Sequence, residues 1–378
     1  MVSSTKSIPA TQAPPAPPAG GRRTSASSRR EARTAAVFLA PFLLLFVAFI
    51  LYPVLQAVAM SLFDWDLLTQ SATDFGLDNY VRMLGGTGLT WSLTSMLSWR
   101  LVLLAVVVTL ALAARRGRLG ARTAAVTAAP LLLLVLALGI HPGPGGQWND
   151  PRFWAALRHT VEFTVVATPL LVVGGLAMAL LVNRKGRSSA FYRTAFFLPY
   201  VLPVSVVTLI WIYLLNPDRG LVAWLTERLG LGAVDYLNEP TTALPAVILT
   251  TVWWTVGFTM ILFLAGLQDI EPSLYEAASL DGAGRWDSFL HITVPGLKRV
   301  TVLVVVSQVI ASFQIFGQVY LMTRGGPGDS SLVLIQHVYE SGIRDSALGY
   351  ASALSLVLLV VILVVSLAQL KLLRSEES

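Results

Sequence analysis

The chain is 378 residues long, 55% hydrophobic and only 13% charged, with a formal net charge of +6 and no cysteine. Soluble domains carry about 25% charged residues. This composition therefore excludes an ordinary soluble enzyme, and the missing thiols exclude disulfides, thiolate metal sites and cysteine nucleophiles.

Residues 1–34 are rich in Pro, Ala, Ser and Arg without apolar periodicity, which predicts a disordered cytosolic tail. Residues 35–60 are too long for the apolar region of a secretory signal and lack a small-residue cleavage site, so they read as an uncleaved first span. That span and an outer loop make up 35–90. Residues 91–150 hold two further apolar runs, 99–114 and 123–140, joined by Arg115-Arg116-Gly117-Arg118. They predict a membrane hairpin that goes in and comes back out, which keeps the orientation of everything after it. Arg100, at the outer end of its first arm, either snorkels to the interface or makes that arm interfacial. The region 151–373 carries spans at 160–182, 191–215, 242–264, 300–322 and 348–370, and 374–378 is a short tail. A hydrocarbon core of roughly 30 Å needs about 20 apolar residues per helix. The expected fold is an all-α polytopic membrane protein of about eight spans, because helices satisfy their own backbone groups in lipid.

The positive balance does not point to nucleic acid, because most basic residues lie between the apolar runs. With the amino terminus inside, the inner segments hold Arg22, Arg29, Arg33, Arg115, Arg118, Arg184, Lys185, Lys298, Arg299 and Lys371. The outer loops gather acids such as Asp64, Asp66, Asp150, Asp218 and Glu239. Loops rich in Lys and Arg stay inside, which predicts a multi-pass protein of the cytoplasmic membrane with both termini cytosolic.

Residues 268–299 are too long and too patterned for a connector. Ser273 can cap a helix starting at Leu274, with Glu276 as its capping-box partner. Leu274, Ala277, Ala278 and Asp281 share neighbouring faces at helical spacing. Gly282 and Gly284 then break the helix and allow a sharp turn. Trp286, Phe289 and Ile292 form a second apolar stripe stopped by Pro295. A short rigid knob at the inner membrane face is suited to docking with another protein.

Glu276-Ala277-Ala278, then Gly282, then Ile292-Thr293-Val294-Pro295, resembles the cytosolic EAA signature of ATP-binding-cassette (ABC) import permeases; Val294 departs from the usual Leu. Phe197-Leu198-Pro199 with Pro203, Asn216-Pro217-Asp218-Arg219-Gly220, Arg324-Gly325-Gly326-Pro327-Gly328 and Gly349-Tyr350-Ala351 resemble the sugar-type branch, which includes the membrane subunits of the maltose and glycerol-phosphate importers. The resemblance covers roughly 35–80 and 151–373. It implies a type I permease core of six helices with the hairpin inserted beside it. It also implies that the knob is a coupling helix seated in a cleft of a cytosolic ATPase. Glu276 then pairs with a basic residue of the ATPase, Gly282 makes the turn, and Ala277, Ala278 and Leu280 pack in the cleft. Asp281, Ile292 and Pro295 belong to the same segment. The implied partners are a second permease subunit, two cytosolic ABC ATPase subunits and an extracytoplasmic substrate-binding protein. The chain has no Gly-rich phosphate loop ending in Lys-Ser/Thr, so ATP belongs to the partners and no cofactor is expected here.

Polar and aromatic residues inside spans are costly unless they face the bundle interior. The fourth core helix offers Thr251, Trp253, Trp254, Thr255 and Phe258; the fifth offers Ser307, Gln308, Ser312, Phe313, Gln314 and Gln318. Aromatic faces beside neutral hydrogen-bonding groups suit a sugar, with its apolar ring faces and hydroxyl edges. The resemblance places Thr251, Trp254, Thr255, Phe258, Ser312 and Ile315 near the maltose importer's sugar contacts. No Lys, Arg, Asp or Glu lies in these two spans, which favours a neutral substrate. The same residues can instead be glue between helices. Glu162 reads as half of a structural pair near His159. His141, His159, His291 and His337 have no ligand spacing, so no metal site is expected. On the residues alone a membrane-embedded transferase or a secondary transporter stays open. The first needs acids or histidines converging at one face, and the second needs inverted repeats and coupling carboxylates.

Overall fold

The computed structural model describes residues 25–69, 71–92, 140–183, 187–230 and 234–374, with Gly232 and scattered positions between 100 and 112. The chain divides at Gln56 into two units. The first is an apolar rod. α1 (Ser25–Phe46) begins inside the stretch read as an irregular tail and continues through a π turn (Val47–Leu51) into α2 (Tyr52–Ser61). Pro53 has no N–H for the turn before it; the wider turn, closed by the Tyr52 N–H on the Val47 carbonyl, absorbs the mismatch. Thr34–Ser61 is long and apolar enough to cross a membrane, as expected of the first span.

The second unit starts at Ala57, with the last turn of α2, and continues into a ribbon of β1 (Asp64–Trp65) and β2 (Ala72–Thr73), followed by α3 (Asp78–Leu84). Asn79 Nδ2 donates to the carbonyls of Ser61 and Phe63, at 3.0 and 2.9 Å, and fastens α3 to the end of α2. β3 (Gly86–Trp91) then pairs antiparallel with β4 (Ile140–Trp148), Trp91 opposite Ile140 and Gly86 opposite Trp148. Ile140, read from the sequence as the end of a span, instead opens this strand. The hairpin predicted between the strands falls largely outside the described residues. The ribbon makes that segment leave and return at one place. Arg100 is buried there, with Nη1 2.7 Å from the Ser92 carbonyl and its guanidinium 5.0 Å from the centre of the Trp91 ring.

The long helices follow. α4 (Pro151–Val182) starts on Asp150, whose Oδ1 accepts from the Phe153 N–H at 3.1 Å, with Pro151 where no N–H is needed. α5 (Arg187–Val201) and α6 (Val204–Leu214) meet at 97°, so the span predicted at 191–215 is broken rather than straight. α7 (Leu221–Arg228) is short, and α8 (Ala243–Asp269) is the most deeply buried of the long helices. The α9–α11 loop comprises α9 (Pro272–Leu280), α10 (Arg285–Ser288), a π turn (Phe289–Thr293) and α11 (Val294–Gly296). α12 (Lys298–Phe313) leaves it at 63°. A break at Gln314–Phe316 precedes α13 (Gly317–Met322), which divides the span predicted at 300–322. α14 (Leu334–Tyr339) and a π turn (Glu340–Arg344) lead to α15 (Leu348–Arg374). Among the described residues four helices are long and apolar enough to span, or six if each bent pair is one span.

Small residues let α4 and α8 touch. A Cβ on Gly175 would lie 2.5 Å from Thr259 Cγ2. Three clusters stack along the unit. Phe153, Leu332, Leu334 and Tyr350 fill the end away from the α9–α11 loop; Phe163, Val247, Ile315 and Val319 fill the middle; Met260, Phe263, Leu297 and Val304 fill the loop end. A buried polar cluster, with a half-exposed ion pair beside it, closes the far end. Asp150 Oδ2 accepts from His337 Nε2 at 2.8 Å and from the Tyr350 hydroxyl. Arg152 reaches Asp329 at 3.0 Å and Glu340 at 2.6 Å. Both groups tie the start of α4 to segments more than 170 residues further along the chain.

Candidate functional site

Two places in the second unit gather the residues singled out above. The first is a cavity of about 410 Å³ in the middle of the helices. α8 lines it with Thr251, Trp254, Thr255 and Phe258, and α12 with Ser307, Gln308 and Ser312. Gln314 and Ile315 come from the break after α12, and Gln318 from α13. Thr251, Trp254, Thr255, Phe258, Ser307, Gln308, Ser312, Gln314 and Gln318, all expected to face inward, therefore share one cavity. Trp253 and Phe313 do not: Trp253 packs edge-on against Trp211 at 5.8 Å, and Phe313 belongs to the far-end core.

Several donors of this cavity are already committed. Thr251 Oγ1 donates to the Val247 carbonyl and Thr255 Oγ1 to the Thr251 carbonyl, both at 2.8 Å. Ser307 does the same to Leu303 at 2.7 Å. Each hydroxyl satisfies its own helix and turns its lone pairs outward, so these groups meet a ligand as acceptors. Gln308 Nε2 donates to Thr259 Oγ1 at 3.1 Å, which ties α12 to α8. That pair is helix–helix glue as well as cavity wall. Among the described residues, no Asp, Glu, Lys, Arg or His lines the cavity.

Sequence reasoning found Trp254 and Phe258 but missed the rest of the aromatic wall. Tyr200 stacks on Phe258 with centroids 4.8 Å apart and planes 15° from parallel, and Phe163 and Phe316 line the same space. The signal was present in Pro199-Tyr200-Val201-Leu202-Pro203. Prolines flanking an aromatic within an apolar run mark a discontinuous helix, and such breaks line binding sites in membrane transporters.

The second place is the loop from α9 to α11. The helix starts at Pro272 on Glu271, not at Leu274 on Ser273; proline is pre-set for the first helical position, and Ser273 Oγ donates to Glu271 Oε1 at 2.7 Å instead of capping. Its other end follows the glycine prediction. Gly282 has φ +78°, its N–H donates to the Ser279 carbonyl at 3.2 Å, and the Ala283 N–H reaches the Ala278 carbonyl at 2.9 Å. That pair of bonds is a Schellman cap, which requires a residue tolerant of positive φ. Glu276, Ala277, Leu280, Asp281 and Gly282 are exposed and Ala278 is half-exposed; Leu280 is 88% exposed at the tip. Glu276 pairs with no cation among the described residues. Ile292 is half-buried, and both it and Pro295 line a second hollow of about 400 Å³ at the root of the loop. Pro295 does not stop the second helical segment, because the π turn at Phe289–Thr293 takes up its missing N–H and the helix runs on to Gly296. The Tyr275 hydroxyl, 2.9 Å from Thr293 Oγ1, ties the two arms of the loop together.

Outside these two places, Asp150 stands out. Burial raises its carboxyl pKa, but the bonds from His337, Tyr350 and the Phe153 N–H outweigh this and hold it at about 2. Glu162 is half-buried and is not bonded to His159, whose Nδ1 lies 3.1 Å from the Leu332 carbonyl oxygen.

Comparison with known proteins agrees with this arrangement. Residues 171–375 match the family described as binding-protein-dependent transport system inner membrane component. The chain is 31% identical over 339 residues to the probable ABC transporter permease protein YurN of Bacillus subtilis, covering 89% of this chain and 94% of that one. It is 35% identical over 231 residues to the sulfoquinovosyl glycerol transport system permease protein SmoG of Agrobacterium fabrum, covering 61% and 75%. It is 33% identical over 222 residues to the trehalose/maltose transport system permease protein MalF of Thermococcus litoralis, covering 58% and 74%. The crystal structure of a bacterial ABC transporter that imports the acidic polysaccharide alginate shares the fold, with a TM-score of 0.66 at 19% identity, covering 93% of this chain and 99% of that one. On this evidence the chain belongs to the family of binding-protein-dependent transport system inner membrane components.

Proposed function

We propose that this permease subunit carries a neutral sugar or oligosaccharide into the cell through the 410 Å³ cavity, driven by ATPases docked on the α9–α11 loop. As a member of its family the chain is a membrane transport component rather than an enzyme. The observation that carries the substrate class is the lining. An aromatic pair, Tyr200 and Phe258, faces acceptor hydroxyls and glutamines with no ionised group. A sugar ring stacks its apolar face on such a pair and donates its hydroxyls to the acceptors, whereas a charged solute would lose hydration without a counter-ion. The sulfoquinovosyl glycerol and trehalose/maltose permeases support the carbohydrate class.

In this reading Glu276, Ala277, Ala278, Leu280, Asp281 and Gly282 form the face seated in the ATPase, with Ile292 and Pro295 bracing its root. A second permease, two ABC ATPases and an extracytoplasmic binding protein complete the machine. The loop and both termini lie in the cytosol. The inserted segment between β3 and β4 adds two spans to six, for a total of about eight. An affinity tag on this chain tests the assembly. Retention of an ABC ATPase that is lost on Glu276→Lys supports docking through the loop. Retention that survives removal of the loop would refute it.

A further inference from the structure

We propose that Trp254 is a positioning residue whose indole N–H holds the Leu202 carbonyl at the break between α5 and α6, and so sets the angle at which the broken helix walls the cavity. The inference rests on the cavity being the transport path.

The break creates a specific problem. Val206 and Val207 both donate to the Pro203 carbonyl, at 3.0 and 3.1 Å, so α6 takes its first bonds one residue after Leu202. Pro203 itself has no N–H, and the 97° turn carries the chain away from the direction of α5. The Leu202 carbonyl is thereby excluded from both helices. A carbonyl orphaned at membrane depth is costly, and breaks persist where a neighbour satisfies the freed group. Trp254 Nε1 is that neighbour, at 3.2 Å.

The surroundings make this contact a setting of the angle rather than a local repair. Trp254 projects from α8, which is clamped to α5 one turn away: a Cβ on Gly257 would stand 2.0 Å from the Phe196 carbonyl oxygen. α5 is thus held against α8 by backbone contact, while α6 departs from the same helix at the bond from Trp254. Tyr200, which precedes the break, stacks on Phe258 and lies tilted beside Trp254, with centroids 6.4 Å apart. Val204, the first residue of α6, packs directly on Gly317 at the cavity wall, where an added Cβ would be 3.1 Å from Val204 Cγ2. Rotation of α6 about the break therefore moves one cavity wall and passes through the Trp254–Leu202 bond. It follows that Trp254 offers a substrate only its ring, because its single donor is already used.

The test uses Trp254→Phe, which keeps an aromatic ring and deletes the donor, in the full complex with its permease and ATPase partners. The native chain has no cysteine, so spin labels can be placed by Leu198→Cys and Leu209→Cys; both side chains are exposed, one on each side of the break. In the nucleotide-free complex we expect one narrow distance distribution with Trp254 and a broadened or second population with Phe. With Mg-ATP alone and no binding protein, we expect ATP hydrolysis to rise about threefold to twentyfold, the range allowed by one interhelical hydrogen bond in a membrane protein. A protein that is merely destabilised would lose hydrolysis, not gain it. An unchanged distance distribution, or hydrolysis that is unchanged or reduced, overturns the proposal. Failure of the importer reading would show separately, as a complex with Trp254 intact that does not hydrolyse ATP.

Discussion

Gly257 lies so close to Phe196 that an added Cβ would stand 2.0 Å from the Phe196 carbonyl oxygen. The contact is backbone against backbone, so no rotamer change relieves it. Gly257→Ala should force α8 and α5 apart at the cavity wall and destabilise the purified protein by about 1–3 kcal/mol, the usual penalty for overpacking. Gly174 is the control: its added Cβ would be 3.3 Å from Val256 Cγ2, a side-chain atom that can shift. Thermal unfolding in detergent should separate the two variants, with Gly257→Ala much the less stable.

The stacked pair of Tyr200 and Phe258 gives a substrate-side prediction. Phe258→Leu keeps an apolar wall and removes the stacking partner. An aromatic contact is worth about 0.5–1.5 kcal/mol beyond its area, which corresponds to roughly a twofold to tenfold rise in the KM of uptake. The maximal rate should change less. An unaltered KM would mean that the ring does not meet the solute.

At the loop tip, Gly282 adopts φ +78° with nothing within 4 Å of where a Cβ would sit. The cost of Gly282→Ala is therefore conformational alone, about 1–2 kcal/mol for a left-handed residue. ATP-dependent uptake should fall while the melting temperature of the whole chain hardly moves. Gly282→Asn should be milder, because Asn tolerates this conformation. Equal effects of Ala and Asn would argue against a backbone origin.

Asp150 predicts a pH dependence at the far end. Its carboxyl is held at about 2 against an ordinary 3.8. A carboxyl with a depressed folded-state pKa adds stability that is complete above the unfolded pKa and is lost as pH falls through the folded one. The stability gap between the native chain and Asp150→Asn should thus be constant from neutral pH to about 4 and should shrink between about 4 and 2. Denaturant unfolding across that range measures the gap. A gap that does not change with pH would mean that the charge on Asp150 contributes nothing.

Much of this architecture was legible in the sequence, because membrane helices must be long and apolar and because Gly282 has a conformation few residues share. Thr251, Trp254, Thr255, Phe258, Gln308 and Ser312 could be grouped in advance, since polar and aromatic residues within a span must face inward. Less legible was anything set by contacts between distant segments. Asp150 meets His337 and Tyr350 across 187 and 200 residues, with no periodicity to announce it. The β3–β4 ribbon was hidden because Ile140 continues an apolar run without interruption. The helix start at Pro272 was misassigned because Ser273 and Glu276 imitate a capping box, which the proline pre-empts. The break at Leu202 was foreshadowed by Pro199 and Pro203, but nothing in those prolines gives its 97° angle.

The most direct test of the account is uptake into vesicles that carry this chain with its permease and ATPase partners, a binding protein outside and ATP trapped within. The account predicts accumulation of at least one neutral sugar that requires ATP hydrolysis and is lost on Glu276→Lys. Accumulation driven by an ion gradient without ATP would contradict it, as would ATP-driven transport confined to charged solutes.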